Sequence, residues 1–164
     1  MTTNTARLSL IDGLHVQAKT GSGHTVDFDS RLGDDDVPSI APSPMEMILS
    51  SSGACMSMDA VSILRKMRED VSSYDVYIEG DRADEHPRVF TAIRMTHRVR
   101  CRGVREASVA RALQLSMTRY CPVFAMVSPT VDVSVRYEIT DEETGTVISG
   151  EAEREPEAAV TRAR

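Results

Sequence analysis

Tryptophan is absent from this 164-residue chain, and seven phenylalanines and tyrosines make up its whole 4% of aromatics. A groove that stacks nucleic-acid bases on aromatic rings has little here to be built from. Cysteine is also scarce. Cys55, Cys101 and Cys121 are an odd, sparse set, whereas a disulfide-framed secreted module carries an even, denser count. No run approaches the roughly 18 apolar residues of a membrane span. The first ten residues, M-T-T-N-T-A-R-L-S-L, show neither a charged n-region nor an apolar h-region. The expectation is a cytoplasmic protein with no membrane partner, in which a cysteine is a structural or a chemically active thiol.

What is present is an ordinary globular balance of 41% hydrophobic and 27% charged residues. The length fits one domain that buries its own core without staples. The net charge is −6, and residues 141–164 carry −4 of it through seven acids and three arginines. The body is therefore nearly neutral, and the net negative charge of the whole chain speaks against a general nucleic-acid binder. We expect one domain over 1–140 and a charged, loosely held tail over 141–164.

The N-terminal segment reads as three short strands: Leu8 and Leu10, then Leu14, Val16 and Ala18, then Val26 and Phe28. Asp12-Gly13 and Gly21-Ser22-Gly23 supply the turns between them. Asp34-Asp35-Asp36 with Pro38, Pro42 and Pro44 reads as a solvated loop. Ser43-Pro44-Met45-Glu46 then opens a helix, with a serine cap, proline at the first position and glutamate at the third. The helix extends to about Asp70, and its apolar residues (among them Ile48, Leu49, Met56, Met58, Val61 and Leu64) point in nearly every direction. Such a helix is buried. One sheet and two short helices do not cover it, so a second protomer is expected.

Strands resume around Val76 and Ile78, followed by a longer one from Phe90 to Cys101. In that strand Ile93, Met95, His97, Val99 and Cys101 alternate with Arg94, Thr96, Arg98 and Arg100. Residues 105–119 read as a second helix, Pro122 opens a third, and Val131 to Ile139 alternates as a last strand. The order βββ-α-ββ-α-α-β predicts an α+β fold with a mostly antiparallel sheet.

Few residues are equipped for chemistry. Cys55 lies mid-helix in the small-residue run Ser50-Ser51-Ser52-Gly53-Ala54, which leaves room beside it. It reads either as a buried structural thiol or as a reactive one, with Asp59 one turn onward. Cys121, just before Pro122, is placed to cap the third helix, and a helix N-terminus lowers a thiol pKa. Cys101 reads as packing. His97 reads as a satisfied core histidine. His86 has no second ligand at metal-binding spacing, so no metal is expected there. The arginine face of the long strand lacks interleaved aromatics and reads as solvated or covered, with no nucleic-acid partner.

Several segments resemble the OsmC-like family: Ser43-Pro44-Met45-Glu46-Met47-Ile48-Leu49, then Gly53-Ala54-Cys55 and Asp59-Ala60-Val61-Ser62-Ile63-Leu64. Glu79-Gly80-Asp81-Arg82, His86-Pro87-Arg88-Val89-Phe90-Thr91 and Leu115-Ser116 leading to Tyr120-Cys121-Pro122-Val123 follow in the same order. The resemblance implies an intertwined α+β homodimer with long helices at its centre and sites at the subunit interface. It implies that Cys55 is the peroxide-attacking thiolate and Cys121 the thiol that resolves its sulfenic acid into a disulfide. A dithiol reductant then restores both, and no metal, haem or flavin takes part. Where the peroxidase branches carry a glutamate ten residues before the attacking cysteine, this chain has Met45. Glu46, nine residues before, falls on the opposite side of the helix from Cys55. The arginine that pairs with that glutamate has no single match here, Arg7, Arg31 and a residue of the other chain all being available. Two functions follow: a cysteine-based peroxidase acting on organic or inorganic hydroperoxides, or a non-enzymatic homodimer binding a small apolar or thiol ligand at its interface.

Overall fold

The computed structural model describes residues 3–30, 38–103 and 105–154. The acidic triplet at 34–36, Arg31 and the last two acids of the tail lie outside them. The chain forms two compact units, divided after Ile48.

The first unit is a three-stranded antiparallel sheet of β1 (Ala6–Asp12), β2 (His15–Thr20) and β3 (Thr25–Phe28), in that order. Its turns fall where the Asp-Gly and Gly-Ser-Gly signals put them. Gly13 and Gly23 adopt the left-handed conformation that such turns need. On β1, Leu8, Leu10 and Ile11 remain largely exposed.

Helix α1 (Pro44–Lys66) begins at the expected capping box. The Ser43 N–H donates to the Glu46 carboxylate at 2.7 Å, and the Glu46 N–H donates back to Ser43 Oγ at 3.3 Å. The helix ends earlier than expected, at Lys66 rather than about Asp70. Glu69 N–H reaches Leu64 C=O and Arg68 N–H reaches Arg65 C=O, a Schellman closure with Arg68 at φ 62°. That position is usually glycine; an arginine there hides the stop signal.

The second unit is built on a four-stranded sheet in the order β4 (Asp70–Arg82), β5 (Phe90–Arg102), β6 (Asp132–Asp141) and β7 (Val147–Glu151). Neighbours are antiparallel except β5 and β6, which are parallel. A parallel pair requires a crossover. Helix α2 (Glu106–Leu115), a π turn (Ser116–Tyr120) and helix α3 (Pro122–Val127) supply it. The single second helix expected over 105–119 is therefore α2 followed by a π turn. Strand β7 corrects the expectation of a loose tail after residue 140. Its Gly150 lies under the Tyr137 side chain, where a Cβ would collide with the ring and its oxygen. The Tyr137 hydroxyl passes over β7 and donates a 2.8 Å bond to Glu106 of α2.

The alternation read in β5 holds: Ile93, Met95, His97, Val99 and Cys101 are all buried. On the other face Arg94 pairs with Asp81 at 2.6 Å and Arg98 with Glu138 at 2.9 Å. Helix α1 packs on the buried side, Gly53 facing Val76 and Ile78 of β4. Within one chain, however, α1 buries only the stripe Ser52, Gly53, Met56, Ala60 and Leu64. Met58 is 74% exposed and Ile48 is 39% exposed. The all-round burial expected of this helix is thus not supplied by a single chain. Its mean hydropathy of 1.4 over 18 residues meets the length and composition of a membrane span, but its buried stripe is packed as the core helix of a folded unit.

Candidate functional site: two thiols and a carboxylate

Cys55 lies near the middle of α1, half-buried. Asp59 stands one turn further on, and residues four apart share a helix face. The third participant arrives from far along the chain. At the end of α2 the backbone widens into the π turn, with Cys121 N–H bonded to Ser116 C=O at 2.9 Å. This bond of i to i+5 stacks Cys121 over Ser116, a device common at functional sites. Ser116 is fully buried and its Oγ donates a 3.0 Å hydrogen bond to Asp59 Oδ2. The π turn thereby presents one hydroxyl and one thiol to the same stretch of α1. The sulfurs of Cys55 and Cys121 and a carboxylate oxygen of Asp59 all lie within 4.8 Å of one another.

Cys121 caps α3 as its place before Pro122 predicts, its Sγ accepting the Phe124 N–H at 3.3 Å. The consequence for its acidity is nevertheless the reverse of the expected lowering. Burial pushes the thiol up, the adjacent Cys55 thiol pushes further, and the N–H groups of Phe124 and Val123 offset only part of this. The result is about 12, so Cys121 is a protonated thiol at neutral pH. Asp59 has no lysine, arginine or histidine as an ion-pair partner among the described residues. Cys55, Asp59 and Cys121 are also a donor set that could hold a metal ion.

The other candidates fall away from this cluster. Cys101 is buried on β5, its Sγ 3.6 Å from Thr140 C=O. His97 is fully buried, its Nδ1 2.8 Å from the Tyr74 hydroxyl. Its Nε2 has no partner among the described residues, so it is only half satisfied. Burial lowers its pKa to about 4, which keeps the ring neutral. His86 belongs to no metal-ligand cluster among the described residues. A groove of about 600 Å³ lies along the later turns of α1, lined by Ser57, Met58, Val61, Ser62, Arg65, Lys66 and Tyr74. Neither thiol of the pair is part of its lining.

Ser116 does not stand out as a site residue in the sequence, where it is one small residue near the end of the helix read over 105–119. Its one signal was its place in the segment leading to Tyr120-Cys121-Pro122.

The fold and the site together define a class: small α+β proteins in which a long central helix carries one thiol and a helix cap offers it a second. The chain belongs to the OsmC-like protein family, whose profile matches residues 33–136. It is 40% identical over 134 residues to Protein YhfA of Escherichia coli (strain K12), covering 82% of this chain and 96% of that protein. A hypothetical protein from Aquifex aeolicus VF5 has the same fold at 27% identity and a TM-score of 0.77, over 87% of this chain and 99% of its own. An organic hydroperoxide resistance protein OsmC from Legionella pneumophila shares the fold at 14% identity and a TM-score of 0.62, over 85% and 97% of the two chains.

Proposed function

We propose that this protein is a homodimeric, cytoplasmic, thiol-dependent peroxidase that reduces organic or inorganic hydroperoxides. The observation that carries the reading is the approach of Cys55 and Cys121, 66 positions apart in sequence, to within 4.8 Å beside Asp59. Cys55 is the more accessible of the two thiols and is the nucleophile. Its sulfur attacks the terminal peroxide oxygen, the O–O bond breaks, an alcohol or water leaves, and the cysteine becomes a sulfenic acid. Cys121 then attacks that sulfur, the S–O bond breaks, and a disulfide and water result.

Cys121 must lose a proton as it attacks, and the departing hydroxide must gain one. Asp59, fixed by Ser116 and close to both sulfurs, is the group placed to carry it between them. An external dithiol returns two electrons and two protons to the disulfide.

The exposed apolar residues of α1 and β1 support the dimer, since each large side chain left in water forgoes about 1.5–3 kcal/mol. A second reading, a non-enzymatic homodimeric module binding a small apolar or thiol ligand, is favoured by the groove bearing Met58, Val61 and Tyr74. Stopped-flow consumption of hydrogen peroxide and an organic hydroperoxide, with a dithiol present, separates the two. Peroxidase activity requires multiple turnovers that vanish in Cys55→Ser; the binding module consumes nothing beyond its own thiols.

A further inference from the structure

We infer that in the reduced protein Cys55, Cys121 and Asp59 form a binding site for one soft divalent cation of the Zn²⁺ type. Two sulfurs and a carboxylate oxygen are a donor set that selects Zn²⁺ over Mg²⁺ or Ca²⁺. Tetrahedral zinc bonds, about 2.3 Å to sulfur and about 2.0–2.2 Å to oxygen, place neighbouring sulfurs about 3.8 Å apart. The three atoms lie within 4.8 Å of one another, so the triangle closes on an ion by moving at most about 1 Å.

The surroundings fit a ligand set as well. The Phe124 N–H already points at Cys121 Sγ, and Ser116 Oγ already holds one Asp59 oxygen. Hydrogen bonds of this kind orient ligands and support their charge. No side-chain cation pairs with Asp59 among the described residues, so a bound ion would be the first positive charge in the cluster. The elements are rigid too: α1 fixes Cys55 and Asp59 one turn apart, and the π turn and α3 cap fix Cys121. Three protein ligands leave a fourth position for water, which the half-buried side of Cys55 can admit.

Binding itself does not depend on the peroxidase reading; its consequence does, resting on the role proposed above. A cation held by both sulfurs blocks the nucleophile. Only once the cation has left do the two thiols and a hydroperoxide give a disulfide, an alcohol and water. The metal-loaded and oxidised states then exclude each other.

The test uses the full-length protein, fully reduced under anaerobic conditions, with Zn²⁺ and Cd²⁺ as the only probes. Competition against a chromogenic zinc chelator should give one ion per chain with sub-micromolar affinity. Cd²⁺ should add the ultraviolet absorbance of a cadmium–thiolate bond. Cys55→Ser and Cys121→Ser should each weaken binding at least 100-fold, and Ser116→Ala about 10-fold, while Cys101→Ser leaves it unchanged. Bound Zn²⁺ should also protect Cys55 of the unmutated protein from alkylation, which keeps the test valid if a variant fails to fold. Absence of stoichiometric binding, equal loss in Cys101→Ser, or alkylation of Cys55 at the same rate with and without Zn²⁺ would each overturn the site. A protein that binds Zn²⁺ in this way yet consumes no peroxide would overturn only the peroxidase reading.

Discussion

The buried hydroxyl of Ser116 donates a 3.0 Å hydrogen bond to Asp59, 57 residues earlier in the chain. That bond ties the π turn to the central helix and sets the carboxylate beside both sulfurs of the thiol pair. Two opposite effects of the carboxylate then compete. Its negative charge disfavours a neighbouring thiolate, whereas its oxygen can accept the proton that Cys121 gives up in the proposed resolving step.

Asp59→Asn separates these effects by sign. In the proposed role of proton carrier Asp59 would contribute on the scale of general acid–base catalysis, about 10²–10⁴-fold. The variant should form the Cys55 sulfenic acid at least as fast as the unmutated protein and then close the disulfide at least about 100-fold more slowly. Trapping sulfenic acid with a dimedone-type reagent against time reads both steps. Faster closure would mean that only the charge matters and would remove Asp59 from the mechanism.

The thiols themselves make a prediction about connectivity. Mild oxidation should yield one intramolecular disulfide joining Cys55 to Cys121, with Cys101 left free on β5. Peptide mass mapping decides it, and Cys101 in the principal bond would refute the assignment. Cys121→Ser should complete one turnover and then lose Cys55 to sulfinic acid.

A pH dependence of stability follows from His97. Burial lowers its pKa to about 4 from the ordinary 6.5, so the unfolded chain binds a proton that the folded chain refuses between those values. The neutral ring's contribution is complete above about pH 6.5 and is lost as pH falls towards 4. The loss amounts to about 3 kcal/mol at 1.36 kcal/mol per unit. Urea unfolding at pH 7 and pH 4.5 should show most of this fall, and His97→Gln, which cannot take the proton, should flatten it.

The exposed face of α1 predicts an assembly. Met58 is 74% exposed in one chain, and the proposed dimer covers it with the same helix of the second copy. Met58→Asp should raise the dimer dissociation constant at least 100-fold, about 3 kcal/mol, as read by analytical ultracentrifugation. An unmutated protein that sediments as a folded 18.0 kDa monomer at micromolar concentration would remove the dimer from the account.

Much of this architecture was legible in the residues. Period-two alternation placed β5 and β6, the Ser43–Glu46 capping box placed the start of α1, and Pro122 placed α3. The failures have identifiable causes. The end of α1 was hidden because Arg68, not glycine, takes the left-handed position. Strand β7 was missed because only Val147 and Ile148 stand out in a charged segment. The parallel pairing of β5 with β6 is a long-range choice that no local pattern encodes. At the site, both cysteines and the capping role of Cys121 were readable. Its acidity was not, because burial outweighs the helix end and burial is decided by packing. The tie between Ser116 and Asp59 depends on a π turn, and no spacing in the sequence announces one.

The central claim is that Cys55 and Cys121 work as one redox pair, and rapid-mixing peroxide reduction tests it most directly. The unmutated protein, with excess dithiol, should consume many equivalents of an organic hydroperoxide per chain, Cys101→Ser should match it, and Cys55→Ser should consume none. Consumption limited to one equivalent per thiol, or unchanged in Cys55→Ser, would contradict the account.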